Sequence, residues 1–124
     1  MAVMDHRTGP DDAEERLRAL YAAFNDRDLD RVLAATAPDV DWPNGGEGGR
    51  LHGHAELRAY WERQWRQVRA RLTPLSLARQ DDATVVVRVR QTFRDPTGSV
   101  LLRETVRHTF TFVGDLVARM DASR

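Results

Sequence analysis

Apolar residues recur at helical spacing in the first half of the chain and at alternating spacing in the second. Leu17, Leu20, Tyr21 and Phe24 form one stripe of a helix that Asp11 caps, with Glu14 three residues on to complete a capping box. Asn25-Asp26-Arg27-Asp28 breaks that pattern, and Asp28 caps a short second helix carrying Leu29, Val32 and Leu33. Ala37-Pro38-Asp39 ends it, and Val40 to Trp42 reads as a short strand stopping at Pro43. The stretch NGGEGGRLHG that follows holds five glycines in ten residues and reads as a loop. A third helix runs from His54 to about Val68, with Leu57, Tyr60, Trp61, Gln64, Trp65 and Val68 on its apolar stripe.

From Arg69 onward the period changes to two. Strands are predicted at about 69–79, 83–94, 99–112 and 116–121, joined by turns at Arg79–Asp82, Asp95–Gly98 and Val113–Asp115. Val85, Val87, Val89, Gln91 and Phe93 share one face of their strand; Leu102, Glu104, Val106, His108, Phe110 and Phe112 share one face of the next. The order of elements predicts an α+β domain. Three N-terminal helices are expected to pack on one face of a strongly curved antiparallel sheet, leaving a cone-shaped barrel with an internal pocket. Residues 1–10 are expected to be a flexible tail and 11–124 a single domain.

Composition narrows the chemistry. The 124 residues suit one domain with its own core. There is no cysteine, which excludes thiol nucleophiles, disulfides and thiolate metal sites. No lysine occurs among the nineteen basic residues, so Schiff-base chemistry is excluded too. A net charge of zero argues against a nucleic-acid partner. No apolar run reaches 18 residues, and the first residues lack the apolar core of a secretory signal, so no membrane association is expected. A cytoplasmic, bacterial protein is the expectation.

Two polar residues interrupt the apolar face of the longest strand, Glu104 and His108, and the last strand brings Arg119 and Asp121 close by. His52 and His54 flank Gly53, but no third ligand accompanies them, so no metal site is expected. Arg88, Arg90, Arg103 and Arg107 alternate onto the opposite face, which is expected to be a homodimer interface or a solvated surface.

The segments LRALYAAFNDRDLDRVLAATAPDVDW, GRLHGHAELRAYWERQW and VRHTFTFVGDLVARMD carry a resemblance to a known family. The chain resembles the nuclear transport factor 2-like superfamily, in its SnoaL-like (polyketide cyclase and ketosteroid isomerase-like) branch, from about Ala13 to Asp121. By that resemblance Tyr21 matches the oxyanion-binding tyrosine of the ketosteroid isomerases and His108 their second oxyanion donor. Their base corresponds to Trp42, which cannot take a proton. Asp121 matches the acid or base of the SnoaL-like cyclases and limonene epoxide hydrolases. The resemblance thus implies a cofactor-independent enzyme acting on a hydrophobic carbonyl or polyketide-like substrate. Asp121, His108 and Tyr21 would be catalytic, with Trp42, Tyr60, Trp61, Trp65, Gln91, Glu104, Phe110 and Arg119 around the substrate. The alternatives are a non-catalytic binder of hydrophobic ligands or dimeric scaffold, and an epoxide hydrolase using Asp121 beside Arg119. A homodimer paired through the exposed sheet face is implied as well.

Overall fold

The computed structural model describes residues 10–45 and 48–124, with side chains from Asp12 onward. Helix α1 spans Pro10–Asn25 and buries Ala13, Leu17, Leu20, Tyr21 and Phe24, as its stripe requires. Because the helix already includes Pro10, the last residue of the expected tail at 1–10 is helical and Asp11 stands within the first turn rather than ahead of it; the Asp11 side chain and residues 1–9 lie outside the described residues. Helix α2 (Leu29–Ala34) is capped by Asp28, whose carboxylate accepts from the Arg31 N–H at 3.3 Å.

Strand β1 is longer than the sequence suggests. It spans Thr36–Pro43, so Ala37-Pro38-Asp39 belongs to a strand. The glycine-rich stretch is also not all loop. Arg50–His52 forms strand β2, which pairs antiparallel with β1 in the register Asp41↔His52 and Pro43↔Arg50. Helix α3 (Gly53–Gln67) starts directly from it. Gly53 has φ +85, and a Cβ there would sit 3.4 Å from the Pro38 carbonyl oxygen, so this sharp strand-to-helix step favours glycine. The Glu56 carboxylate accepts from the His52 N–H at 2.8 Å and closes the first turn.

The remaining strands are β3 (Arg69–Arg79), β4 (Thr84–Arg94), β5 (Val100–Val113) and β6 (Leu116–Ser123), as the alternation predicts. One six-stranded sheet results, in the order β2-β1-β6-β5-β4-β3. All its pairs are antiparallel except β1 with β6, which is parallel, so the sheet is mixed rather than wholly antiparallel. Irregularities at Pro74/Ser76, Phe93/Arg94 and Thr111/Phe112 break the register. Bulges of this kind bend strands, and they let a long sheet curl around the helices.

The helices cover one face, and the core lies between. Phe110, Val87, Val89, Val40, Leu17 and Leu57 are at most 1% exposed. Asn25, at the end of α1, ties the layers together. Its side chain donates to the Leu72 carbonyl and accepts from the Leu72 N–H, both at 2.8 Å, so it acts as a surrogate strand neighbour for β3. Among the described residues no helix is long and apolar enough to cross a membrane.

Candidate functional site

Register decides which side chains meet inside. Val85↔Phe110, Val87↔His108, Val89↔Val106 and Gln91↔Glu104 face one another across β4 and β5, and the buried members of these pairs define the face under the helices. Exposure falls along β5 on this face. Leu102 is 43% exposed and Glu104 intermediate; Val106, His108 and Phe110 are buried. The interior therefore opens at the Gln91–Glu104 end and closes at Phe110.

His108 is 6% exposed and Tyr21 3%. They meet across the gap between α1 and β5, with the Tyr21 hydroxyl 2.8 Å from His108 Nδ1 and the two rings nearly parallel. Phe110 sets its edge against both, and Trp42 approaches Phe110 from β1. Burial disfavours charge on each partner. It lowers the His108 pKa to about 4 and raises that of the Tyr21 hydroxyl. At neutral pH the pair is a phenol bonded to a neutral imidazole. Two proton arrangements satisfy the contact. If Tyr21 donates to Nδ1, the proton of the ring sits on Nε2 as a second donor. If Nδ1–H donates, the hydroxyl proton and the Nε2 lone pair are free to act elsewhere.

Asp121 and Arg119 do not join this pair. Thr109↔Asp121 and Thr111↔Arg119 are in register, and the buried neighbour on β6 is Met120. Both side chains thus lie on the outer face of the sheet, which corrects the expectation that they share a pocket with His108. Proximity of strands placed them near His108 in sequence reasoning, but alternation along β6 turns them away.

On that outer face they belong to a ring of four charges. Arg50 Nε donates to Asp41 at 2.6 Å and its Nη1 to Asp121 at 3.0 Å; Arg119 donates to Asp41 at 2.7 Å and to Asp121 at 2.9 and 3.0 Å. Arg50 also reaches the Met120 and Asp41 carbonyl oxygens at 2.7 and 3.2 Å. The hydrogen bond from Arg119 holds the Asp121 carboxyl below the usual range, and the bond from Arg50 does the same for Asp41. Carboxylates held ionised by two guanidinium groups are poor proton carriers. Sequence reasoning missed Arg50, because it fell in the stretch read as loop.

The other expected site residues fall into two groups. Trp42, Tyr60 and Phe110 are at most 7% exposed and are core residues. Trp61 and Trp65 pack on Phe24, with ring centroids 4.6 and 5.4 Å away, and their indole N–H groups are buried without an acceptor. Gln91 and Glu104 form a pair at the open end: the amide donates to the carboxylate at 2.8 Å, and Arg124 approaches it at 3.3 Å. Glu104 is thus the carboxylate that shares the inner face with His108.

His54 bonds Thr36, 3.0 Å from its hydroxyl and 3.1 Å from its carbonyl oxygen, while His52 is exposed near Asp41. Among the described residues no cluster of three metal-ligating side chains occurs. Cavities of about 340 and 280 Å³ flank α1 near the β5–β6 turn, lined by Arg16, Phe112 and Asp115 in both cases and by neither Tyr21 nor His108.

The fold has clear relatives. An NTF2-like protein of unknown function from Burkholderia pseudomallei is 27% identical, with 90% of this chain and 88% of that one covered and a TM-score of 0.79. TerC, co-crystallised with polyporic acid, is 28% identical over 90% of this chain and 89% of its own, with a TM-score of 0.78. A putative polyketide cyclase from Xanthomonas campestris shares the fold at 22% identity, covering 90% and 89%, with a TM-score of 0.75. No curated protein matches the chain. The model of the SnoaL-like domain matches residues 17–120, nearly the whole described fold, and the chain belongs to the SnoaL-like family.

Proposed function

We propose that the protein is a cofactor-independent enzyme that moves a proton on a hydrophobic, carbonyl-bearing substrate of polyketide-like type. The observation that carries this reading is the buried Tyr21–His108 pair, held among the apolar side chains of the inner face. With Nδ1–H donating to the Tyr21 oxygen, the phenol is left to donate its own proton to an oxygen that becomes negative, and Nε2 is left to take the proton that moves. Such a donor strengthens as charge develops and needs no reorganisation.

The proton itself must also move. With a pKa near 4, His108 is a weak base at Nε2. It suits a carbon already acidified by two flanking carbonyls, as in a 1,3-dicarbonyl, rather than an ordinary ketone. Glu104 lies four residues along the strand from His108, roughly 13 Å at the rise of a strand. It can meet a distant group of an elongated substrate, with Gln91 steadying the carboxylate. TerC's co-crystallisation with polyporic acid, at 28% identity, supports a small organic ligand for this interior.

The test is turnover of a panel of aryl and polyketide-like 1,3-dicarbonyl compounds. His108→Ala should lower kcat/KM by about 10²–10⁴, the usual contribution of a positioned base, and Tyr21→Phe by about 10²–10³, the usual cost of losing an oxyanion donor. Asp121→Asn should leave turnover unchanged. The rate should be flat from neutral pH downward and fall as His108 protonates near pH 4. Loss of turnover in a folded Asp121→Asn variant, with His108→Ala active, would overturn the assignment.

A second reading is a binding module without chemistry. The close packing of Trp42, Tyr60 and Phe110 and the outward carboxylate of Asp121 favour it. Ligand-induced thermal stabilisation with no turnover across the panel would select it.

A further inference from the structure

The inner face of the sheet carries charge at both of its ends. At the closed end Arg79 stands opposite the buried Val85, and its guanidinium is turned to the Asp81 and Asp82 carbonyl oxygens, each at 2.9 Å. At the open end stands Glu104, opposite Gln91, with its side chain 18% exposed. His108, between them, is uncharged at neutral pH because burial disfavours its protonated form. The open end of the interior is therefore set by a half-buried carboxylate.

The cation that meets this carboxylate is the Arg124 guanidinium, at 3.3 Å. Arg124 follows the inward parity of Met120 and Ala122, which stand opposite Phe110 and His108. Its side chain is 81% exposed, so water screens the pair and little holds it in place. The chain's own guanidinium thus sits loosely in a position that suits a cation. Gln91 fixes the other carboxylate oxygen, donating to Oε2 at 2.8 Å while Arg124 approaches Oε1. An ionised carboxylate accepts several hydrogen bonds at once, and charged donors make the stronger ones.

Aromatic side chains lie toward the same end. The Asn25 amide bonds both backbone groups of Leu72, and Leu72 pairs with Gln91. Phe24, beside Asn25 in the chain, packs against Trp61 and Trp65. A carboxylate near aromatic rings suits an organic ammonium ion, which is attracted to both. An anionic group there would be repelled by Glu104, and a neutral hydroxyl would forgo the charge.

We propose that Glu104 selects a substrate whose end remote from the reacting carbon carries a protonated amine, and that this ammonium displaces Arg124 from the carboxylate. Which end is remote rests on the reading of Tyr21 and His108 as the reacting pair; four residues of strand, roughly 13 Å, separate His108 from Glu104.

Phenethylamine is the probe, titrated calorimetrically into the whole protein at neutral pH, with 2-phenylethanol and 3-phenylpropanoate as neutral and anionic controls. The ammonium should bind at least about tenfold more tightly than either control, the difference between a charge-assisted and a neutral contact. Glu104→Gln should remove that preference. Arg124→Ala should tighten amine binding by about threefold or more, because it removes a competing, solvent-screened guanidinium. A purely structural Glu104–Arg124 pair would leave the affinity unchanged or lower it. His108→Ala should bind the amine as the parent does. A protein that binds the amine in this pattern yet turns over no dicarbonyl thus strikes the proton-transfer reading and leaves this site standing. Should Glu104→Gln melt early, Arg124→Ala and the three probes carry the test, since Arg124 is exposed. Equal affinity for the three probes, no binding of the amine, unchanged or weaker binding by Arg124→Ala, or loss of binding in His108→Ala would each overturn the proposal.

Discussion

At the scale of the residue, His108 links burial to stability. Its folded pKa, near 4, lies below the value of 6.5 for an unperturbed imidazole. Between those values the unfolded chain binds a proton that the folded chain refuses, so stability rises with pH through that window. It is fully present above about pH 6.5 and lost as pH falls toward 4, by about 3 kcal/mol at 1.36 kcal/mol per unit. Below 4 both states are protonated and this contribution stays flat. Chemical denaturation of the wild type and His108→Gln across pH 4–7 checks it. The wild type should lose stability through that range and the variant should not; parallel curves would show that the imidazole is not held neutral by burial. His108 was legible in sequence because a lone imidazole interrupts an apolar alternation. Its partner was legible only through family resemblance, since Tyr21 lies 87 positions away and sits on a stripe that any core tyrosine would fit.

At the scale of the element, the alternating strands β3 to β6 were readable because hairpin turns of Asp, Pro and Gly separate runs of period two. The β1–β2 region was not. Its β2 contains three residues, too few for periodicity, and it follows a glycine-rich stretch. What holds it is not propensity but Arg50, which bonds Asp41, Asp121 and two carbonyl oxygens and so fastens β2 to β1 and to the end of β6. Parity on β6 was lost for a different reason. The bulge near Thr111/Phe112 shifts the register, and only the fold reveals that Arg119 and Asp121 face the charge ring. Arg50→Ala should cost about 1–3 kcal/mol, the range for leaving partly buried charged hydrogen-bond partners unmatched. Amide exchange should speed up in 50–52 and at the C-terminal end of β1, with β4 and β5 unaffected. Uniform protection loss across the sheet would show instead that Arg50 supports the global fold. Asp121→Asn, a more exposed position, should cost less, because solvent already screens its charge.

At the scale of the whole molecule, layering sorts the polar groups into two sets with different physics. Inside, burial keeps Tyr21 and His108 uncharged; outside, guanidinium groups hold Asp41 and Asp121 ionised. Between the outer charge ring and the far edge at β3, the face turns from balanced to basic. This gradient bears on the expected homodimer. Arginine alternation was visible in the sequence, but its consequence depends on register, because Arg88↔Arg107 and the absence of carboxylates from the outer face of three adjacent strands emerge only when those strands align. A dimer paired through β3–β5 would gather fourteen guanidinium groups, those of Arg69, Arg71, Arg88, Arg90, Arg94, Arg103 and Arg107 from each copy, with no counter-charge between them. Its formation should therefore strengthen with ionic strength, as repulsion is screened over about 8–10 Å at moderate salt. A dimer centred on β1, β2 and β6 would meet its partner through the compensated ring and should depend little on salt. Sedimentation velocity across a salt series separates the two. We expect no salt-promoted dimer, and Arg88→Glu/Arg107→Glu should leave the oligomeric state as it is. A dimer that assembles only at high salt, and that those substitutions promote at low salt, would place the interface on the arginine face after all.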